Sequence, residues 1–292
     1  MKNGMVMFML VFRGGVDSTV LLHLVRQIYP DVKAVYCDTG LEYPEIKNFV
    51  KGCTNVEIIR PELSFKEVIK TYGYPIVSKN VAQAIERVRS NDGWNTKTGQ
   101  RTTDWLALNG LLKGKTGQPS IFNKKKWKFL LDADFKISGR CCDYLKKRPF
   151  KLYNKKTDLK PYVGTLTEES IQRKSEWLQH GCNAFSDTNP SSKPLSIWAR
   201  SDELEYMTRY KIPYCKEIYG DIVEENGIYD TTLAKRTGCV YCGFGVHLEK
   251  EPNRFQKLKI SHPKIWEYCM KPEEEGGLGM KKVMDFLGVP VE

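Results

Sequence analysis

The stretch Phe12-Arg13-Gly14-Gly15-Val16-Asp17-Ser18-Thr19 stands between an apolar block, Met5 to Phe12, and a segment, Thr19 to Ile28, with Val20, Leu21, Leu24 and Val25 at helical spacing. That reads as strand, glycine loop, helix. The backbone N–H groups of such a loop and the positive end of the helix it opens face any anion placed there. Paired glycines let the backbone approach phosphate oxygens closely. Asp17 is then positioned to hold a magnesium ion bridging phosphates, and the hydroxyls of Ser18 and Thr19 to donate hydrogen bonds to them. The competing reading is a helix start that Asp17 and Ser18 merely cap, and these eight residues alone leave both open.

Outward from the loop the two periodicities alternate. Val32 to Cys37 reads as a strand, Tyr43 to Val50 as a helix, Val56 to Ile59 as a strand and Phe65 to Tyr72 as a helix. Strands alternating with helices predict an α/β fold, a doubly wound parallel sheet with ligands at the carboxyl ends of its strands. From Asn91 to Lys128 the rhythm is lost, and Gly, Thr, Asn and Lys accompany Trp94, Trp105 and Trp127. This is an irregular insertion that a partner would order. Its aromatics either stack bases or anchor the loop. Pro161 to Thr165 restores a strand, Glu168 to Gln179 a helix, and Ser201 to Tyr210 a helix with Ser201 as its N-cap. Met280 to Leu287 forms a final helix. The expected organisation is the first half of a nucleotide-binding domain over 1–90, a basic insertion over 91–136, the continued α/β domain over 137–215, and a cysteine-containing C-terminal region over 216–292.

The chain of 292 residues, 41% hydrophobic and 28% charged, has the composition of a folded globular protein, which excludes wholesale disorder and fibrous repeats. Its longest apolar run is about a third of the roughly 20 residues that span a bilayer, and the single Lys2 before it makes a poor signal-peptide start. Nine cysteines, an odd number without disulfide-like spacing, indicate a reducing, cytoplasmic setting with thiols or metal ligands. Residues 87–160 hold 19 Lys+Arg against 6 Asp+Glu, while the remaining residues are close to balanced. So local an excess predicts a polyanionic partner, a nucleic acid or a highly phosphorylated nucleotide, unless it is a solvated lysine face.

Taken together, the motifs resemble the phosphoadenosine phosphosulfate (PAPS) reductase family of the PP-loop, or adenine-nucleotide alpha hydrolase, superfamily. The family signature Ser-Gly-Gly-x-Asp-Ser is met at Gly14, Gly15, Asp17 and Ser18. Asp38-Thr39-Gly40 with Glu42-Tyr43-Pro44, Cys141-Cys142 with the basic run to Pro149, Gly164 with Ser170 and Arg173, and Cys239-Val-Tyr-Cys242 follow in order. The resemblance implies an ATP or related adenine-nucleotide site at Arg13, Gly14, Gly15, Asp17, Ser18, Thr19, Asp38, Thr39, Gly40 and Gly164, with Asp17 and Arg173 catalytic. The departures bear on activity. Arg13 replaces the signature serine, either adding a cation beside the phosphates or crowding them. Leu166 and Thr167 stand where sulfonucleotide reductases carry an arginine pair. The reductases' nucleophilic tail cysteine has no counterpart here, because no cysteine follows Cys269, which reads as a core thiol.

Cys141-Cys142 and Cys239-x-x-Cys242 are two pairs whose separation only the fold can close. Four thiolates bind zinc or an iron–sulfur cluster. Adjacent cysteines strain a tetrahedral zinc, whereas neighbouring thiolates reach two irons of a cubane, so a [4Fe–4S] cluster is favoured over zinc, with no metal as the third outcome. In the resembled family this cysteine pattern marks cluster-bearing members. His247, five residues beyond Cys242, is either a base near that site or a structural histidine.

Three functions fit. The first is an enzyme that binds ATP with magnesium, releases pyrophosphate by attack at the alpha-phosphate and, with a cluster and a sulfur-donor protein, places sulfur on tRNA or DNA. The second is a sulfonucleotide reductase. The third is a non-catalytic nucleotide-binding partner of a nucleic-acid complex, with Arg13 marking lost catalysis.

Overall fold

The computed structural model describes residues 8–184 and 190–292, so the Met5 to Met7 start of the first expected strand lies outside the described residues. The chain forms two compact units, each assembled from two segments: residues 1–62 with 146–239, and 63–145 with 240–292.

The first unit is built on a six-stranded sheet. Its strands are β1 (Phe8–Phe12), β2 (Lys33–Cys37), β3 (Val56–Ile59), β4 (Lys160–Val163), β5 (Asn183–Ala184) and β6 (Ser191–Ser192). Its helices are α1 (Val16–Ile28), α2 (Pro44–Gly52), α3 (Arg148–Thr157), α4 (Ile171–His180), α5 (Arg200–Tyr210) and α6 (Lys216–Tyr219). The strand order is β3-β2-β1-β4-β6-β5. All neighbours are parallel except β5 with β6, and the register sets Val11 beside Val35 on one side and Val163 on the other. This is the doubly wound parallel sheet expected from the alternating periods.

Both faces of β1 are covered, which is why it reads as an unbroken apolar run. Leu10 and Phe12 join a core with Val20, Leu21 and Val25 of α1, Ile46 and Val50 of α2, and Leu204 and Met207 of α5. Met9 and Val11 face the other way, onto Val35 and Tyr153. The chain winds outward from β1 through β2 to β3, then returns on the far side of β1 as β4. Between β1 and β4 the winding reverses, and there the loops that follow the strands part to leave a crevice.

Several element boundaries differ from expectation, β4 covering Lys160–Val163 instead of Pro161 to Thr165 and α2 Pro44–Gly52 instead of Tyr43 to Val50; two further differences have a visible cause. Helix α5 starts one residue earlier, capped by Ala199, whose N–H donates to Asp202 at 2.8 Å; Ser201 instead accepts from the Tyr229 N–H at 2.9 Å. The reason is the hairpin Ile222–Glu225 with Ile228–Thr231, which claims the serine hydroxyl. Helix α4 is preceded by a separate turn, Thr167–Glu169, and capped by Ser170, which accepts from the Arg173 N–H.

The second unit is mainly helical around a short parallel pair, Ile76–Val77 with Gly243–Phe244. Its helices Phe65–Tyr72 and Met280–Leu287 fall on the residues where the pattern placed them. The first is closed by a capping box between Ser64 and Glu67. The basic insertion contains a short hairpin, Trp94–Asn95 with Gln100–Arg101, a helix over Thr103–Leu108 and a 3₁₀ stretch over Lys125–Asp132. Arg89 fastens it to the helix Lys79–Asn91 by donating to the carbonyls of Leu130, Leu131, Ala133 and Phe135 at 2.6–3.2 Å. No helix among the described residues is long and apolar enough to cross a membrane.

Candidate nucleotide site and cysteine pairs

The crevice in the first unit is a cavity of about 300 Å³ at the ends of β1, β2 and β4. Its floor is the glycine loop. Gly14 has φ +68° and an added Cβ there meets Val50 Cγ2 at 2.8 Å and Ile46 Cγ2 at 2.9 Å, so the loop packs directly on α2. Gly164, just after β4, lies so close that an added Cβ would meet the Asp17 carbonyl oxygen at 2.9 Å. Gly164→Ala is therefore expected to push the loop outward and weaken nucleotide binding by roughly tenfold while the fold holds. Calorimetric titration of the variant checks this.

Hydrogen bonds lock the loop from within. The Arg13 N–H donates to Ser18 Oγ at 3.1 Å; Ser18 and Thr19 both donate to the Gly15 carbonyl, at 3.1 and 2.8 Å. Thr19 is buried and lies away from the cavity lining, so its hydroxyl shapes the loop.

Of the residues singled out in the sequence, Arg13, Gly15, Asp17, Ser18, Thr39, Gly164 and Arg173 line the cavity. Gly14, Asp38 and Gly40 are not among the residues that line it. Asp38 pairs with Lys47 at 2.7 Å and accepts from the Gly40 N–H at 3.2 Å; although burial opposes ionisation, Lys47 holds its carboxyl below the usual range. Thr39 donates from its hydroxyl and its N–H to Glu42, at 2.7 and 3.2 Å, which aims that strand-end turn at the crevice.

Six cations line the cavity, Arg13, Lys146, Arg173, Arg200, Lys235 and Arg236, against the carboxylates Asp17, Glu42 and Glu169. Glu169 pairs with both Arg173 and Arg236 and sets the two guanidiniums side by side. Burial alone would lower the Lys146 ammonium, but the Cys239 thiol bonded to it holds its pKa above the ordinary lysine value. The remaining wall is apolar and aromatic, with Tyr36, Phe150 and Val163. Cys37 also faces the cavity, and burial with Glu42 and Asp38 nearby pushes its thiol up to about 12, so it is not a thiolate nucleophile near neutral pH.

Sequence reasoning missed Arg200, Lys235, Arg236 and the fully buried Glu203 of α5. The pair Lys235-Arg236 just before Cys239 was the available signal. Glu203 had none, since it sits in a polar helical stretch. Burial and the neighbouring negative charge of Asp17 push the Glu203 carboxyl up to about 9.

The cysteine pairs are divided by the fold. Cys239 closes the first unit, while Cys141, Cys142 and Cys242 belong to the second. The sulfurs of Cys141 and Cys142 stand 3.9 Å apart. Among the described residues no three Cys, His, Asp or Glu side chains are gathered as a metal-binding group. No disulfide joins any of the cysteines. Cys269 is fully buried and its thiol is raised by desolvation, as a core residue. His247 packs edge-on against Trp127, ring centres 4.8 Å apart, and burial lowers its pKa.

In the basic insertion the aromatic faces are already engaged. Arg101 lies between Trp94 and Trp105, 3.9 and 4.3 Å from their ring centres, and Lys126 lies 4.9 Å from that of Trp127. These tryptophans anchor the insertion.

Residues 7–104, the first third of the chain, are similar to the phosphoadenosine phosphosulfate reductase domain. Two curated relatives, phosphoadenosine 5'-phosphosulfate reductases of Buchnera aphidicola subsp. Acyrthosiphon pisum strains Tuc7 and 5A, are 49% and 46% identical over 41 residues, 14% of this chain and 17% of theirs. An adenosine 5'-phosphosulfate reductase of Bacillus mycoides is 32% identical over 72 residues, 23% of this chain and 31% of the relative. The chain thus matches less than a third of the length of these relatives. A solved structure of phosphoadenylyl-sulfate reductase from Candida auris, in complex with phosphate, is 13% identical with a TM-score of 0.39, covering 74% of this chain and 77% of that one.

Proposed function

We propose that the first unit binds ATP with magnesium in the crevice between β1 and β4 and activates its alpha-phosphate for sulfur transfer to a nucleic acid. The observation that carries this reading is the cavity itself, an anion site with six cations over a glycine loop beside an aromatic wall. The loop N–H groups and the positive end of α1 receive the phosphates. Asp17 would hold the cation that offsets their charge, and Tyr36, Phe150 and Val163 would flank the base. Arg173 and Arg236, fixed by Glu169, stabilise charge that develops as pyrophosphate departs. Arg13 adds a cation at the loop mouth.

The names of the relatives favour a second reading, a sulfonucleotide reductase acting on the same site. Against it stand the raised thiols of Cys37 and Cys269, neither of which is presented as a thiolate, and Leu166, which is buried in the core where the reductases carry an arginine.

Anaerobic protein should release pyrophosphate from ATP in the presence of a sulfur donor and nucleic acid. Asp17→Ala should lose ATP binding by about two orders of magnitude, because the triphosphate is left without its metal anchor. Sulfite production from PAPS or APS without pyrophosphate release from ATP selects the reductase. Binding of ATP to Asp17→Ala as tightly as to the parent overturns the phosphate site.

For the cysteines we propose a [4Fe–4S] cluster on Cys141, Cys142, Cys239 and Cys242, zinc being the alternative; such a cluster, when bound, supplies electrons or a site for sulfur. The adjacent sulfurs of Cys141 and Cys142 support it. Anaerobically purified protein is expected to be brown with about four irons per chain, and Cys142→Ala or Cys239→Ala to bleach it. Colourless protein with one zinc rejects the cluster.

A further inference from the structure

We propose that Glu203 is the second protein ligand of a divalent cation held with Asp17, so that the first unit carries a two-carboxylate metal site beneath the glycine loop. This rests on the reading of the crevice as a nucleotide site and assigns the residue that completes it.

Glu203 lies on α5, fully buried, and neither of its carboxylate oxygens has a hydrogen-bond donor. A buried carboxylate without a donor is costly unless something absent from the protein alone satisfies it. The Asp17 carboxylate is a close neighbour, within hydrogen-bonding reach. Two carboxylates facing each other repel unless a proton or a cation lies between them. Arg200, the first residue of α5, acts on Glu203 through its charge without a hydrogen bond to it; its Nη2 donates to Thr231 Oγ1 at 3.4 Å, and its buried Nε has no partner among the described residues. Glu168, before α4, adds further negative charge.

The spacing suits a metal. Neighbouring ligand oxygens of an octahedral cation with bonds of about 2.1 Å stand about 3 Å apart, the same range as a hydrogen bond. Magnesium is commonly held by one or two carboxylates, with phosphates and water filling the other positions. Asp17 lines the cavity while the buried Glu203 does not, so Asp17 is the ligand through which such a cation would meet bound phosphates. In a crevice otherwise rich in cations, this pair is where a metal has its counter-charge.

The test uses the whole chain and manganese alone, titrated by calorimetry and followed by electron paramagnetic resonance without nucleotide. The parent should bind one Mn²⁺ per chain; Glu203→Gln and Asp17→Asn should each weaken it by about tenfold or more, and the double variant little further. Mn²⁺ should raise the unfolding midpoint of the parent and leave that of Glu203→Gln in place, while in chelator Glu203→Gln should melt no lower than the parent. Should Glu203→Gln fail to fold, Glu203→Asp withdraws the carboxylate by one methylene and must show the same loss. Unchanged Mn²⁺ binding by either Glu203 variant overturns the proposal. Nucleotide titrations separate the two failures: parent protein that binds ATP equally well in chelator keeps its nucleotide site but has no metal site. Protein that binds Mn²⁺ through both carboxylates yet ignores nucleotide keeps the metal site and loses the nucleotide reading.

Discussion

Gly14→Ala should lower the stability of the protein by roughly 2–5 kcal/mol and abolish nucleotide binding together with it. Two costs combine. A residue with a Cβ at φ +68° occupies the left-handed region at about 1–2 kcal/mol. The new methyl also lands 2.8 Å from Val50 and 2.9 Å from Ile46, both almost fully buried, so α2 must shift, an overpacking cost of about 1–3 kcal/mol. Domains of this size are stable by only about 5–15 kcal/mol, so the loss is a large fraction of the total. Because the same backbone forms the floor of the crevice, any relief that moves the loop off α2 also moves its N–H groups off the phosphates. Urea unfolding reports the first effect and ATP titration the second. A variant with the parent's midpoint would show that α2 yields freely and that Gly14 is dispensable.

The basic insertion should give the affinity of the protein for nucleic acid a steep salt dependence, falling about 10³-fold or more between 50 and 200 mM salt if six or more phosphates are neutralised. Lys125, Lys126 and Lys128 are exposed on and around the 3₁₀ stretch, and Lys124 half-buried at its start. Replacing Lys124, Lys125 and Lys126 by alanine should reduce the log–log slope by roughly two to three, at about 0.7–0.9 per phosphate contact. ATP binding should be unchanged, because the glycine loop belongs to the other unit. Lys126 also lies over Trp127, so tryptophan fluorescence must be compared to confirm that the insertion keeps its structure. A slope equal to that of the parent, or no binding at low salt, makes these lysines a solvated face. Base stacking should contribute little: Arg101 lies between Trp94 and Trp105, and exchanging either tryptophan should loosen the insertion before it alters base preference.

The alternation of strand and helix over the first 70 residues was legible without a structure. Burial imposes a continuous apolar run on a strand covered on both faces and a 3.6-residue period on the helix that covers it. Val56–Ile59 and Phe65–Tyr72 lie on the residues where that pattern placed them. The glycine loop was legible too, since a φ of +68° against α2 leaves Gly14 no substitute. Local pattern is blind to which distant loops meet. Arg200, Lys235 and Arg236 reach the crevice because β4 returns beside β1 and carries the later chain back over the loop, a matter of strand order. The N-cap of α5 went to Ala199 because a hairpin some twenty residues later engages Ser201, and Thr19, polar in sequence, turned inward to close the loop on Gly15. Glu203 shows the limit most clearly. Its neighbours in sequence describe an ordinary polar helix, and only the packing of α5 against α1 buries its carboxylate beside Asp17, because burial and proximity belong to the assembled core and leave no trace in a local period.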